Sequence, residues 1–451
     1  MLPRSILICA LLLISIAPAR PSGESASDGG LFTLLYTASR TYDPLAWLHG
    51  EDSFGSEAAI YVREGNRQRL LVEEFAETAD PAVSFEGDKV LFAGKSRSQD
   101  PWQIWEISLS EGQPRRITQG SEDCVRPFYL PGDRVVYARK VDGRFVIETS
   151  DLAGSKILPL TYISSNALPT DVLRDGRILF ESGYPLGTNG TPDIYTVYSD
   201  GSGVESYRCD HGPARHAGRQ AGSGDIVFAT SNGIGRFTSA RAQQVAVAAP
   251  KGEYAAGFAE TRAGEWIVSW RPSATQNFQL VHWMAGTQEL EPLVTQRGSN
   301  VVQPILIAPH PAPNRHPSGL HDWPNANLLC LNSYTSKYPF ATASIHSVRV
   351  YTRSTEGNPK LLGSTSVERD GSFFIQVPND QPLQIELLDA RSKTLKREAG
   401  YFWMRRGEQR GCVGCHAGPE TAPENAVPQI LLKSTTPADM TGTSAPSAGG
   451  H

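Results

Sequence analysis

A five-residue motif near the C-terminus carries the clearest chemistry in this sequence. Cys412, Cys415 and His416 form a C-x-x-C-H pattern, which is typical of covalent attachment of a c-type haem. In such a site the two thiols add to the porphyrin vinyl groups, and the histidine binds the iron from the proximal side. The alternatives are a redox-active C-x-x-C pair or half of a zinc site. Because the sequence has no second C-x-x-C to complete a four-cysteine zinc site, the motif predicts one covalent haem c.

The sequence leaves the second axial ligand of the iron undecided. Met404 lies eight residues before Cys412, whereas Met440 falls in a segment that we expect to be loose. The other candidates are imidazole and phenol side chains: His310, His316, His321, His346, Tyr334, Tyr338 and Tyr401. An iron without a strong second ligand would suit an oxidoreductase, whereas a His or Met ligand would suit electron transfer.

Charged residues surround the motif. Arg405, Arg406 and Arg410 precede it together with Glu408, and the arginines are candidates to pair with haem propionates. The alternative is an ordinary solvated charged surface. A weaker candidate is the segment 209–216, in which Cys209, Asp210, His211 and His216 have side chains that bind transition metals; the alternative is a polar loop.

The N-terminus predicts export. A short basic start precedes an apolar run from Ser5 to Ile16, and Ala17-Pro18-Ala19 offers a cleavage site, so residues 1–19 read as a signal peptide. The run is too short to span a bilayer, and no later segment reaches about eighteen uninterrupted apolar residues. We therefore expect a periplasmic or secreted protein without a membrane span, since covalent haem attachment and export belong together.

Composition narrows the partners. The formal charge of −5 and the pI near 6.1 indicate no basic surface for nucleic acid. The length predicts two or three domains. A redox partner protein is expected, and the oligomeric state is left open.

Cys124, Cys209 and Cys330 remain outside the motif and the signal peptide, so at most one disulfide can form among them.

Residues 30–308 contain a repeat. One position recurs every 42 to 47 residues, and a turn and a short apolar strand usually follow it. Such a period is typical of β-propeller blades. Six copies are present, and residues 31–74 add a seventh or close the ring; the alternative fold is a β-sandwich. The recurring positions are Pro81, Pro127, Pro169, Pro213, Gly257 and Pro304. Because Cys124 and Cys209 lie two blades apart, we expect no disulfide between them.

These repeats resemble TolB-type propellers, in which blades carry a D-x-x-P pattern, a turn before an apolar strand, and a later D-I-Y. Asp175-Gly176 and Asp193-Ile194-Tyr195 match parts of that pattern. The resemblance implies the fold and no activity.

Three further segments follow the propeller. Residues 309–324 are rich in proline and histidine and predict an extended linker. Residues 325–432 hold at least four strand-like runs and the haem motif, so they predict a small antiparallel β-sandwich with a C-terminal attachment segment. Residues 433–451 are rich in Ser, Thr, Pro and Gly and predict a disordered tail. The fold class is therefore all-β.

The run W-x-x-x-G-E-x-R-x-C-x-G-C-H from Trp403, together with residues 367–373, resembles the haem-bearing middle domain of the hydrazine synthase alpha subunit. That family joins a TolB-like propeller to this domain, and it carries a further C-terminal haem domain that we do not expect here. The resemblance implies a periplasmic haem protein with Cys412 and Cys415 as attachment points, and it does not transfer hydrazine synthesis.

Three functions follow from these patterns. The first is an exported haem oxidoreductase that acts on a small nitrogen- or oxygen-containing molecule. The second is an electron-transfer protein with six-coordinate iron. The third is a binding protein whose propeller docks a partner while the haem relays electrons. The sequence does not give the substrate or the direction of the reaction.

Overall fold

The computed structural model describes residues 32–442, except 111, 209, 232, 338–339, 355–356, 416–420 and 423–424. The predicted signal peptide and the site candidates Cys209, Tyr338 and His416 therefore lie outside the described residues. Nearly every element in the described part is a strand. No helix found there is long and apolar enough to cross a membrane.

Six four-stranded antiparallel sheets form the predicted propeller. Each sheet runs outward from an innermost strand, and neighbouring innermost strands contact one another around a ring. A 3-10 helix, Ala46–His49, lies in the connection between the first two strands of the chain, and three of its four residues are buried. The strands, sheet by sheet, are β1 Thr33–Ser39, β2 Ala59–Glu64 and β3 Arg67–Leu70; β4 Glu77–Val83, β5 Lys89–Lys95, β6 Gln103–Ser108 and β7 Arg115–Arg116; β8 Cys124–Leu130, β9 Arg134–Val141, β10 Arg144–Asp151 and β11 Leu158–Pro159; β12 Ala167–Val172, β13 Ile178–Tyr184, β14 Thr191–Val197 and β15 Glu205–Ser206; β16 Arg215–Gln220, β17 Ile226–Thr230, β18 Gly233–Phe237 and β19 Val245–Val247; β20 Glu253–Arg262, β21 Glu265–Arg271, β22 Gln279–Met284 and β23 Glu291–Val294; and, completing the first sheet, β24 Asn300–Leu306.

The strands near the N-terminus close the ring. Strand β24 pairs antiparallel with β1, from Leu34 opposite Leu306 to Ser39 opposite Asn300. The first blade is thus built from both ends of the repeat region. The described residues contain six blades, and the segment that we expected to add a seventh blade or close the ring does the latter, by completing the first blade.

In most blades the recurring sequence position lies in a β-bulge on the innermost strand, whereas Pro169 pairs with Phe180 just before its bulge. Register shifts place the bulges at residues 80–81, 126–127, 170, 217–218, 256–257 and 303–304. The assignment of Pro213 to this position is wrong, because Pro213 precedes β16 and Ala217 takes the bulge conformation with φ of 53°. A bulge turns the strand and leaves a residue unpaired, which explains why proline is tolerated there.

Charged side chains fill the centre of the propeller. Arg126 lies between two carboxylates, with its Nη1 atom 3.4 Å from Glu181 Oε1 and its Nε atom 3.7 Å from Asp80 Oδ1. The Nε2 group of Gln303 donates to Asp80 Oδ1 at 2.5 Å. Burial raises the pKa of both carboxyls. Since β24 carries Gln303, this network ties the closing strand to the neighbouring blades.

The second domain is a sandwich of two four-stranded sheets. Their facing sides form one apolar core. One sheet has the order β31-β25-β28-β32 and the other β27-β26-β29-β30. The β25–β31 and β28–β32 pairs are parallel, so the prediction of a purely antiparallel sandwich is wrong at both edges of the first sheet. The elements are β25 Ala326–Cys330, β26 Ser347–Arg353, β27 Pro359–Ser366, β28 Phe373–Val377, β29 Leu383–Leu388, β30 Thr394–Arg397, β31 Gln409–Cys412, α1 Gln429–Lys433 and β32 Ala438–Asp439.

The prediction of a disordered tail from residue 433 is wrong as far as residue 442. Strand β32 adds to the edge of the sandwich, and the Met440 amide donates to the carbonyl oxygen of Gln376 at 2.8 Å. The Met440 side chain is buried in the core of the second domain. Composition missed this segment because two strand residues and one buried methionine are enough to hold it.

The proline-rich linker lies along the propeller. The amide of His310 donates to Phe85 O, and the amide of Asn314 donates to Arg174 O. The His316 ring stacks on Tyr198 with a centroid distance of 3.8 Å, and the His321 ring stacks on Trp323. The linker histidines thus take separate packing roles along an extended chain.

Candidate functional site

The two cysteines of the C-x-x-C motif lie at the edge of the sandwich. Strand β31 ends at Cys412 and pairs in parallel with β25, which puts Cys412 directly opposite Cys330. After the turn, Cys415 forms an isolated parallel bridge with Ser336. Backbone pairing on both sides of Gly414 therefore fixes where the C-x-x-C segment runs.

An apolar cavity opens beside these cysteines. Its volume is about 630 Å³, including the part that is open to solvent. The polar groups at its wall are Ser333, Glu398 and Arg410. The remaining lining is apolar or sulfur-containing: Leu328, Cys330, Phe373, Ile385, Leu387, Phe402, Cys412, Gly414 and Cys415.

Gly414 is required by the close approach of a neighbouring segment. A Cβ atom at this position would overlap the backbone carbonyl oxygen of Thr335. By contrast, a Cβ at Gly411 would meet no atom within 4 Å. The glycine inside the motif therefore lets the C-x-x-C turn pack tightly against the chain that leads to Ser336.

Desolvation favours the neutral form of both thiols of the motif. Burial raises the pKa of Cys412, and it raises the pKa of Cys415 to about 12. The described residues contain no group of three or more His, Cys, Asp or Glu side chains that could hold a metal ion. An apolar cavity with two thiols at its wall fits a flat, largely apolar ring that thioether links would hold.

Trp403 anchors the segment that precedes the C-x-x-C motif to the propeller. Its side chain is fully buried in a cluster that otherwise belongs to the third and fourth blades, including Leu160 and Phe180. The indole Nε1 donates to the carbonyl oxygen of Gly201 at 3.0 Å. The backbone nearby is held as well, because the Tyr401 amide donates to Leu186 O at 2.8 Å.

Glu408 organises the chain between Trp403 and the cysteines. Its Oε2 atom accepts the backbone amide of Arg405 at 2.8 Å, and its Oε1 atom accepts the amide of Gly203 at 3.2 Å. Gly407 precedes it with φ of 73°, and a Cβ there would overlap the backbone of His321. The G-E pair of the sequence motif is thus a tight turn with a buried carboxylate.

The arginines near the motif have carboxylate partners in the protein. Arg410 forms an ion pair with Glu408 at 2.6 Å, and Arg406 pairs with Asp322 at 2.8 Å. Arg405 Nη1 lies 3.2 Å from Asp380 Oδ1 and also donates to Pro159 O. The structure therefore places these arginines in positioning contacts, and only Arg410 reaches the cavity wall.

The described candidates for the second axial ligand lie away from the cavity wall. Met404 and Met440 are buried in the core of the sandwich, and His346 is exposed. Tyr334 accepts the amide of Ile345 through its hydroxyl at 3.1 Å, and Tyr401 lies at the propeller contact. Of the described residues that line the cavity, none is a histidine, methionine or tyrosine.

The segment 210–216 forms a polar cluster that belongs to the fourth and fifth blades. His211 Nδ1 lies 3.2 Å from Asp193 Oδ2, and its ring stacks on Tyr184 at 4.0 Å. Asp210 pairs with Arg215 at 2.7 Å. His216 is buried elsewhere, on β16. The described part of this segment therefore fits the polar-loop alternative, and Cys209 lies outside the described residues.

Comparisons with known proteins agree with this architecture. A family model described as the hydrazine synthase alpha subunit middle domain matches residues 336–417. The second domain resembles that middle domain. The structure of hydrazine synthase from Kuenenia stuttgartiensis matches 89% of this chain and 71% of its own, with a TM-score of 0.77 and 16% identity. The resemblance read from the sequence and the all-β fold class are both confirmed.

The TolB structures are more distant. TolB from Acinetobacter baumannii matches 61% of this chain and 67% of its own at 13% identity, with a TM-score of 0.46. A TolB from Agrobacterium tumefaciens matches 58% and 88% at 12% identity, with a TM-score of 0.42. A search of curated protein sequences found no significant match. At 16% identity, the likeness to hydrazine synthase shows the fold of this chain.

Sequence reasoning missed Cys330 as a site residue. It was counted only as one of three leftover cysteines, yet it lines the same cavity as Cys412 and Cys415. Its position at the end of an apolar strand carried no functional signal. Only the parallel pairing of β25 with β31, which joins segments about 80 residues apart in the sequence, brings the three sulfurs together.

Proposed function

We propose that this chain is an exported c-type haem protein with a redox function. Cys412 and Cys415 would hold one haem c through thioether links, and His416 would bind its iron. The observation that carries the proposal is the apolar cavity that both cysteines line. When bound, the haem supplies one-electron chemistry and a binding position for a small molecule at its iron.

The protein's own residues have separable tasks in this proposal. Phe373, Leu387 and Phe402 contribute apolar walls that exclude water from the cavity, and such an apolar shell tunes the properties of a bound metal. Trp403 and Glu408 fix the segment that carries the cysteines. Arg410 stays at the wall through its ion pair with Glu408.

We infer an oxidoreductase. The cavity is partly open to solvent, so a small molecule could reach a haem that Cys412 and Cys415 would hold there. The substrate class is a small nitrogen- or oxygen-containing molecule. The likeness in fold to hydrazine synthase makes nitrogen compounds the first to screen, and hydrazine formation itself is not assigned.

We further propose that export removes residues 1–19 and that the haem is attached in the periplasm. The support is the basic start, the apolar run and the Ala19 cleavage position. Mass spectrometry of the purified protein after expression in a bacterium with a periplasm should find a chain that begins at Arg20. A retained Met1 would contradict this part of the proposal.

Optical spectra test the proposal directly. The protein is expressed with a c-type maturation system and measured oxidised, reduced, and reduced with carbon monoxide. We expect a high-spin haem that binds carbon monoxide at once. A His416→Ala variant should lose the wild-type spectrum, whereas the matched His346→Ala variant, which changes an exposed histidine, should keep it. A low-spin reduced haem indifferent to carbon monoxide would instead indicate electron transfer, and an unchanged His416→Ala spectrum would contradict the proximal ligand.

A further inference from the structure

Three thiols, not two, face the proposed haem site. Cys330, Cys412 and Cys415 all line the cavity. Cys330 is 3% exposed. Its thiol lies 3.5 Å from the Ser333 hydroxyl, which itself donates to Gly371 O at 2.7 Å. Because that hydroxyl uses its proton on Gly371, the Cys330 thiol is the donor, and its sulfur is held at the cavity wall.

Cys330 and Cys412 are cross-strand neighbours, and both are free thiols in the structure. They are direct partners on neighbouring parallel strands, β25 and β31. Neighbouring strands lie about 4.7–4.9 Å apart, which falls inside the usual Cα separation of about 4.4–6.8 Å for disulfides. Direct partners also project their side chains to the same face of a sheet, and here that face is the cavity that both residues line.

We propose that Cys330 and Cys412 form a disulfide in the haem-free exported protein, and that this bond must be reduced before the haem can be attached. The second half of this inference rests on the proposed function, whereas the disulfide itself does not. Cys330 is then a control thiol for haem loading, and it becomes a free buried thiol once Cys412 is committed to the porphyrin.

The chemistry balances with a disulfide-exchanging oxidoreductase as oxidant. The two thiols transfer two electrons and two protons to the disulfide of that enzyme, which becomes a dithiol while the Cys330–Cys412 bond forms. A dithiol reductant reverses the step. Thioether formation is then redox-neutral, because each S–H adds across one vinyl group and forms one S–C and one C–H bond. Cys412 can enter only one of these two bonds.

The edge position of β31 and the burial of Cys330 limit the stage at which the disulfide can form. Thiol–disulfide exchange needs a thiolate and access to it, and Cys330 is buried in the folded protein. Strand β31 has four residues and lies at the edge of its sheet, so it can detach while the rest of the sandwich persists. Exchange therefore takes place during folding or while this edge is open.

Disulfide mapping tests the inference. The full chain is exported without the haem maturation system, acid-quenched, alkylated and digested with trypsin. Cys412 and Cys415 fall on one tryptic peptide, since no lysine or arginine lies between them. We expect that peptide to be linked to the peptide of Cys330, with one alkylated cysteine remaining. In a Cys415→Ser variant the link should persist, and in a Cys412→Ser variant it should be lost.

Haem loading provides the second readout. With the maturation system present, wild-type haem content should rise when a dithiol reductant is supplied, and this dependence should be lost in Cys330→Ser. The matched control is Cys124→Ser, which changes a fully buried cysteine on β8 of the propeller and should behave as wild type. If Cys330→Ser fails to fold, the mapping of wild type and Cys415→Ser still decides.

Two failures are distinguishable. Recovery of Cys330 as a free thiol in the haem-free protein, or a bond between Cys412 and Cys415 instead, overturns the inference and leaves the haem proposal intact. A Cys330–Cys412 disulfide in a chain that takes up no haem under any reducing condition keeps the disulfide and overturns the proposed function.

Discussion

The Glu408 carboxylate accepts two hydrogen bonds from the Arg410 guanidinium, at 2.9 Å from Nε and 2.6 Å from Nη2. Arg410 lies two residues before Cys412. The same carboxylate accepts backbone amides from Arg405 and Gly203. Both oxygens of this buried side chain accept hydrogen bonds. The side chain therefore joins the propeller, the turn after Trp403 and strand β31.

Substitution of Glu408 should therefore be costly. Glu408→Gln removes the charge that pairs with Arg410 and puts an amide donor opposite backbone N–H groups. We expect a loss of about 2–4 kcal/mol in the free energy of unfolding, measured by urea denaturation of the purified protein. The control is Glu289→Gln, at an exposed position, which should change stability by less than about 0.5 kcal/mol. Equal stabilities of the two variants would contradict the role given to Glu408.

Trp403 should determine whether the two domains unfold together. Trp403→Ala removes a fully buried indole from between the third and fourth blades, with an expected cost of about 3–5 kcal/mol. Calorimetry should show one transition for wild type and two for the variant. Trp323→Ala, in which the lost side chain is 46% exposed, is the control. One unchanged transition for Trp403→Ala would mean that other contacts hold the domains.

His216 should make stability depend on pH. Burial, helped by the charge of Arg126, lowers the pKa of His216 to about 4. The unfolded histidine takes up a proton below about pH 6.5, while the folded one does so only near pH 4. The unfolded state therefore binds more protons in this window, and stability falls as the pH drops through it.

The comparison of wild type with His216→Gln isolates this contribution. Between pH 6.5 and 4, wild type should lose about 3 kcal/mol more stability than the variant, measured by urea denaturation at several pH values. Other buried groups with raised pKa values, such as Asp80, contribute equally to both proteins, so their effect is removed when the two pH profiles are subtracted. Parallel pH profiles would mean that His216 is accessible to protons in the folded protein.

Gly414 and Gly411 form a matched pair beside the cysteines. Gly414→Ala forces a Cβ into the carbonyl of Thr335, whereas Gly411→Ala meets open space. We expect Gly414→Ala to lose about 1–3 kcal/mol of stability and to carry less covalent haem per chain, with Gly411→Ala close to wild type. Haem staining per unit of protein on denaturing gels measures the second effect. Similar haem contents would show that the turn tolerates displacement.

Much of the architecture was readable from the sequence, because propellers repeat a local pattern. Apolar residues that follow Asp-Gly-like turns predict the strand after each turn, as in residues 90–92 or 178–180. Pro213 shows where this reading fails. Pro81, Pro127 and Pro304 lie in the bulges of their blades, but the bulge of the fifth blade consists of residues 217–218. Nothing in the residue type of Ala217 indicates its positive φ.

The site was predicted less completely than the fold. The cysteines of the motif were predicted to lie together, since their spacing is local, and both line one cavity. The partners of Arg405 and Arg406 were not, because they come from distant segments of the chain. Met440 and Cys330 were missed for the same reason. Parallel pairing at the sheet edges brings together residues that are far apart in the sequence, and no periodic sequence pattern indicates such a pairing.

The mass of the intact exported protein tests the central claim most directly. The chain is produced with a c-type maturation system, as wild type, as the Cys412→Ser/Cys415→Ser double variant, and as Cys124→Ser. We predict that wild type and Cys124→Ser carry the added mass of one haem that survives denaturation, and that the double variant does not. Wild-type protein with the mass of the bare chain would contradict the assignment of this cavity as a haem c site.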